Sequence, residues 1–239
     1  NEVFATAIMK RLDISCTEYT LTLIGDKPFS ACKDFITAQT ELVTAHNIIK
    51  SEKKPSNKSL YEHYIDCCEQ RGIKDIRYKI NQMLTLDYII VNEDRHLNNF
   101  GLIRNAETLE YLCAAPVYDS GTSMWFNTPT QSIKAGARDI YAKPFKTKHA
   151  DQIKLVDDFS WLDLNNLKGI DEELADILKN SDRIDEQRRD TLCQALIMRI
   201  ELLKNVMEQS VKYTNIQAIG DEVEEDIAYS GNDTGMTMQ

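Results

Sequence analysis

The run Asn92-Glu93-Asp94-Arg95-His96-Leu97-Asn98-Asn99-Phe100-Gly101 constrains the fold more than any other stretch of the chain. It sets Asp94 and Asn99 in one short polar loop directly behind an amphipathic segment, and Asp119 follows after two strand-like runs. If these three side chains act together, a helix must deliver the first two and a hairpin must return the third to the same place. The flanking sequence meets both conditions. Ile76, Ile80, Met83, Leu84, Tyr88 and Val91 recur at helical spacing behind Asp75, a candidate cap, so one stripe faces a core. Phe100 to Arg104 and Leu109 to Leu112 read as strands joined by the polar turn Asn105-Ala106-Glu107.

The rest of the chain supplies elements to pack around that unit. Phe4, Ala7, Ile8 and Leu12 predict an amphipathic helix over residues 2–12. Tyr19, Leu21 and Leu23 alternate with threonines, and Gly25-Asp26-Lys27-Pro28 turns the chain toward Phe29-Ser30-Ala31-Cys32, which predicts a hairpin. Ser59-Leu60-Tyr61-Glu62 matches a capping box and Gly72 a helix stop. Residues 127–150 hold Lys134, Arg138, Lys143, Lys146 and Lys148 with little periodicity, as a mobile basic loop would. Glu172 to Lys179 and about Ile184 to Gln209 are predicted helices. Residues 216–239, acidic around Glu224, Glu225 and Asp226, bury too little to order themselves and are expected to form a disordered tail.

Composition removes whole classes of function. The net charge of −10 argues against general nucleic-acid binding, which needs a basic surface. The excess is local, because residues 151–239 hold nine basic and twenty acidic side chains. No apolar run approaches the roughly 18 residues of a membrane helix. Six cysteines without a C-x-x-C pair, and four histidines without zinc spacing, predict reduced thiols in a cytoplasmic protein and no structural zinc. The first residue is Asn rather than Met, so the chain reads as clipped at its N-terminus.

The order of Asp94, Asn99 and Asp119 is that of a phosphotransferase. In protein kinases a loop Asp accepts the substrate hydroxyl proton, an Asn five residues on binds magnesium, and an Asp on the following turn binds magnesium as well. One amide oxygen and one carboxylate are a sufficient protein share for a cation that keeps waters and substrate phosphates. Asp94 must then stay unliganded to serve as base.

Asn92 to Gly101, together with Ala115-Pro116-Val117-Tyr118-Asp119-Ser120-Gly121-Thr122-Ser123, resembles the catalytic and metal-binding motifs of the HipA-like serine/threonine kinases. The likeness is dense from about Leu86 to Ser123 and thinner over Glu2 to Cys32 and at Lys143-Pro144-Phe145. It implies an α+β, protein-kinase-like fold with three parts. Residues 1–36 would form a partial N-lobe with connector, residues 37–215 a mostly helical C-lobe, and residues 216–239 the tail. It further implies a bacterial, ATP- and Mg2+-dependent kinase acting on a protein Ser/Thr hydroxyl, with Asp94 as base and Asn99 and Asp119 on the metal. Arg95 and His96 would support the loop, and Asp34, Phe35 and Ile36 would contact the adenine. Glu2 would stand where the family's helix glutamate pairs with a strand lysine. The family's best-known members are toxins of toxin–antitoxin pairs, which leaves room for an antitoxin-like DNA-binding partner.

No lysine or glycine-rich phosphate loop precedes Glu2, so the upstream strands are expected to be missing. A second reading therefore stands beside the enzyme: a catalytically silent kinase-like binding module or truncated remnant. A two-metal phosphohydrolase ranks below both, since such sites cluster more Asp and His ligands.

Overall fold

The computed structural model describes the backbone of residues 1–230 and the side chains of residues 1–210. It separates into two compact units, Asn1–Ile200 and Glu201–Gln239. In the first, α1 (Glu2–Arg11) buries Phe4, Ile8 and Met9 and packs against the helix that precedes the polar loop. A two-stranded antiparallel hairpin follows, β1 (Tyr19–Ile24) and β2 (Lys27–Cys32). Its turn is Gly25-Asp26 alone, shorter than the four residues read from the sequence. Gly25 sits at φ 61°, where a side chain is disfavoured and glycine is not.

Two elements have no signal in the sequence pattern above: β3 (Thr40–Thr44) and α2 (Ala45–Lys50). β3 is the outer strand of a three-stranded antiparallel sheet, followed by β4 (Gly101–Asn105) and β5 (Tyr111–Ala114). Thr44 stands opposite Gly101, and a Cβ on Gly101 would lie 2.2 Å from the Val43 carbonyl oxygen. The strand therefore begins on a residue that must lack a side chain. Immediately after β3, the N–H groups of Ala45 and His46 donate to the carbonyls of Phe100 and Leu97, both at 2.9 Å. The start of α2 thus holds the end of the polar loop.

α3 (Leu60–Gln70) begins with the expected capping box, Ser59 and Glu62 satisfying each other's backbone N–H. α4 (Ile76–Ile90) is the central helix, with all but three of its 15 residues buried. Each buried Ile, Leu or Met on it contributes roughly 1.5–3 kcal/mol over exposure. Asp75 occupies the N-cap position, but its side chain makes no capping hydrogen bond.

Residues 127–150 are more ordered than a mobile loop. Tyr141 and Lys148 form an antiparallel bridge, and the short helix α5 (His149–Gln152) starts inside the stretch. The physical reason is that buried side chains from elsewhere satisfy its backbone. Arg199, on the long helix α7 (Glu186–Ser230), donates to the Ala135 carbonyl at 3.2 Å and to Tyr88 O at 2.8 and 3.0 Å. α6 (Ile170–Leu178) presents Ile170, Leu174 and Leu178 to the core. α7 runs through residues 216–230 of the expected tail, and residues 231–239 lie outside the described residues.

Candidate active site

α4 ends abruptly at Val91, whose left-handed backbone (φ 54°, ψ 58°) turns the chain out of the helix. A β-branched residue tolerates that region poorly, so surrounding contacts must hold it. Asn92 supplies several of them. Fully buried, it donates to Asp87 Oδ1 at 3.0 Å, while its amide oxygen accepts from the Asp94 N–H at 3.2 Å and the Thr122 hydroxyl at 3.0 Å. One amide side chain thereby joins helix, loop and the segment after Asp119.

The next fixed point is Arg95. Its guanidinium and the Asp87 carboxylate have no exposed surface, and two hydrogen bonds of 2.9 Å join them. Burial alone would lower the Arg95 pKa, but Asp87, together with Asp119 and Tyr118, turns the net shift upward. The remaining N–H groups reach across to the other loop. Nη1 donates to the carbonyls of Asn99 at 3.2 Å, Asp119 at 3.3 Å and Tyr118, and Nη2 donates to the Ser120 hydroxyl at 3.1 Å. The backbones of Asn99 and Asp119 therefore share one nitrogen.

Around this frame stand the side chains with chemistry. Asn99 donates its amide N–H to the Asp94 carbonyl at 3.2 Å, and its amide oxygen has no hydrogen-bond partner among the described residues. Asp119 is held at φ 54°, and its carboxylate has no hydrogen bond or ion pair among the described residues. Asp119 N–H donates to the Tyr19 hydroxyl at 3.3 Å. Burial drives the Tyr19 hydroxyl to about 12, and the Tyr118 hydroxyl to about 12 as well. Both stay neutral and able to donate at ordinary pH. An amide oxygen and a carboxylate without protein partners suit a hard divalent cation that completes its shell with water and phosphate. Among the described residues no group of three or more His, Cys, Asp and Glu side chains forms a metal cluster.

Asp94 is partly exposed, and its Oδ1 accepts from Lys143 Nζ at 2.7 Å. The sequence placed Lys143 in a basic stretch but gave no partner for it. Likewise Asp87 was passed over inside the apolar stripe of α4, although an acid there needs a buried cation or donor nearby. His96 stays local. Its N–H donates to the Asp94 carbonyl at 2.7 Å, and its Nδ1 accepts from the Asn98 N–H at 3.3 Å.

Two of the other predicted residues, Glu2 and Phe35, meet the segment around Asp119. Glu2 reaches the segment after Asp119, with its side chain 3.8 Å from where a Cβ on Gly121 would stand, and it accepts a hydrogen bond from the Ser30 hydroxyl. Asn1 ties the same segment down by donating to the Gly121 and Ser123 carbonyls at 2.8 Å. Asp34 turns the connector by accepting from the Ile36 N–H at 2.9 Å, and the Phe35 ring lies 5.2 Å from that of Tyr118. Asp34 and Phe35 line an open cleft of about 660 Å³ with Cys16, Thr17 and Lys33, while Ile36 is not part of its wall.

No protein-family model matches the chain. The serine/threonine-protein kinase CtkA of Helicobacter pylori is 30% identical over 131 residues, which span 52% of this chain and 40% of CtkA. The crystal structure of the proinflammatory kinase CtkA from H. pylori matches with a TM-score of 0.64 at 20% identity, over 89% of this chain and 86% of that one. HipA of Shewanella oneidensis, solved with HipB and operator DNA, matches at a TM-score of 0.49 and 12% identity over 84% of this chain and 54% of that one, too distant to carry an argument. The chain has the α+β, kinase-like fold of CtkA, and over about half of its length it resembles CtkA in sequence.

Proposed function

We propose that this chain is the catalytic portion of an ATP- and magnesium-dependent protein serine/threonine kinase of the HipA-like kind. The observation that carries the reading is the convergence at Arg95. One buried guanidinium binds the backbones of Asn99, in the same loop as Asp94, and of Asp119, and the amide oxygen of the first and the carboxylate of the second have no partner among the described residues. In this reading Asn99 and Asp119 hold the magnesium, which when bound neutralises charge on the phosphates. Asp94 orients the acceptor hydroxyl and takes its proton as the oxygen attacks the γ-phosphorus. Arg95 keeps the two loops in register, and His96 braces the turn. The nucleotide base would enter the cleft beside Asp34 and Phe35, with Ile36 setting the turn of the connector. On resemblance alone, the reading extends to a cytoplasmic enzyme with an antitoxin-like DNA-binding partner.

The test uses the full-length protein. Asp94→Asn should melt within a few degrees of wild type and lose phosphoryl transfer from radiolabelled ATP to protein. Asn99→Ala and Asp119→Ala should abolish the magnesium-dependent part of the melting shift given by ATP, since only binding to the folded state raises stability. Transfer at the wild-type rate by Asp94→Asn would refute the assignment.

One observation favours the silent module instead. The Glu2 carboxylate bonds to the Ser30 hydroxyl, and no lysine meets it among the described residues. If this chain shows no melting shift at millimolar ATP and magnesium, the silent reading holds for it.

A further inference from the structure

The hold on Lys143 is out of proportion to what its ion pair contributes. The pair with Asp94 is 36% and 39% exposed, and partly exposed pairs contribute only about 0–1 kcal/mol. Yet the lysine sits in a tightly built tip. The Ala142 N–H donates to Thr147 O at 3.1 Å and the His149 N–H to Ile140 O at 3.0 Å, closing residues 140–149 into a narrow loop. Gln152, 1% exposed, spends its whole amide on that tip. It donates to the Lys143 carbonyl and accepts from the N–H groups of Phe145 at 3.1 Å and Lys146 at 3.2 Å. The Phe145 ring then lodges 5.3 Å from Tyr61, 6.3 Å from Tyr64 and 6.0 Å from Phe100, the residue that follows Asn99. None of these anchors needs the ammonium. The placement of the tip is therefore carried by backbone, Gln152 and Phe145 contacts and not by the charge at 143.

We propose that Lys143 is a catalytic residue, bridging the base Asp94 to the phosphoryl group in transit; this rests on the kinase reading above. Three features support it. The ammonium has three donors and gives one to Asp94 Oδ1, leaving two for phosphoryl oxygens. Asp94 Oδ2 has no partner among the described residues, so the acceptor hydroxyl has a carboxylate oxygen to meet. The Tyr141 ring, 5.7 Å from Nζ, walls one side of the charge.

In the step, the acceptor O–H proton passes to Asp94 Oδ2 as the acceptor oxygen bonds to the γ-phosphorus. The bond from that phosphorus to the bridging oxygen breaks, and its electron pair leaves with ADP. Lys143 stays protonated and donates to the oxygens on which charge builds.

The experiment compares full-length wild type, Lys143→Met and Lys143→Arg, with radiolabelled ATP, magnesium and lysate proteins as acceptors. Lys143→Met should lower kcat about 100-fold, a typical loss for one charge-stabilising donor. The KM for ATP should stay within about threefold and the melting temperature within two degrees or so, while Lys143→Arg regains a large part of the rate. A Lys143→Met enzyme within about threefold of the wild-type kcat would overturn the assignment. So would a loss that Lys143→Arg shares in full together with a fall in melting temperature, because that is a structural role. A wild-type protein that binds ATP yet transfers no phosphate brings down the kinase reading itself, and this role with it.

Discussion

Arg95 and Asp87 illustrate how much one pair of side chains can be asked to do. Neither has exposed surface, so removing either leaves a charge or a polar group stranded without water. Arg95→Met should cost roughly 3–5 kcal/mol in urea denaturation, the usual loss when one partner of a buried pair is deleted. Adding Asp87→Leu to that variant should restore part of it, since two contacting residues are not additive. The sequence marked Arg95 as a support of the loop but gave it no partner, and it did not single out Asp87. Asp94, Asn99 and Asp119 could be singled out because a base and an amide in one loop, with a carboxylate beyond a hairpin, is the spacing phosphoryl transfer would require. The contact of Lys143 with Asp94 was not, because nothing local links residues 49 positions apart.

Among the elements, those written in neighbouring residues were legible. The capping box of α3 and the apolar stripe of α4 depend on positions three and four apart, and both helices form where those signals stand. β3 escaped notice because its five residues are only half-buried and its partner β4 lies about 60 residues further on. Its pairing also rests on an absence, the missing Cβ of Gly101. Gly101→Ala would drive a methyl group into the Val43 carbonyl, and neither strand can retreat without losing its ladder. We expect a loss of about 3 kcal/mol, measured by chemical denaturation. The basic stretch 127–150 is ordered where its sequence predicts mobility, for a related reason. Gln152 and Arg199 order it, and neither leaves a periodic trace within it.

For the molecule as a whole, buried histidine links stability to pH. Burial, reinforced by the nearby Arg199, lowers His149 from 6.5 to about 3, and its Nε2 has no hydrogen-bond partner among the described residues. The unfolded chain takes up a proton below about pH 6.5 while the folded one does not, so stability is complete above that value. It then drains away as pH falls toward 3, with a slope near 1.4 kcal/mol per pH unit for one proton. Denaturation of His149→Gln at pH 7 and pH 5 should show a smaller difference than wild type. The six cysteines are all free thiols, and no helix among the described residues is long and apolar enough to cross a membrane. The shared guanidinium at position 95 also bears on how relatives of this chain are recognised. A descendant that kept Asp94, Asn99 and Asp119 but drifted away from arginine at 95 would pass any pattern search for those three. On the proposed reading it would transfer no phosphate, because the two loop backbones would have lost the nitrogen they share.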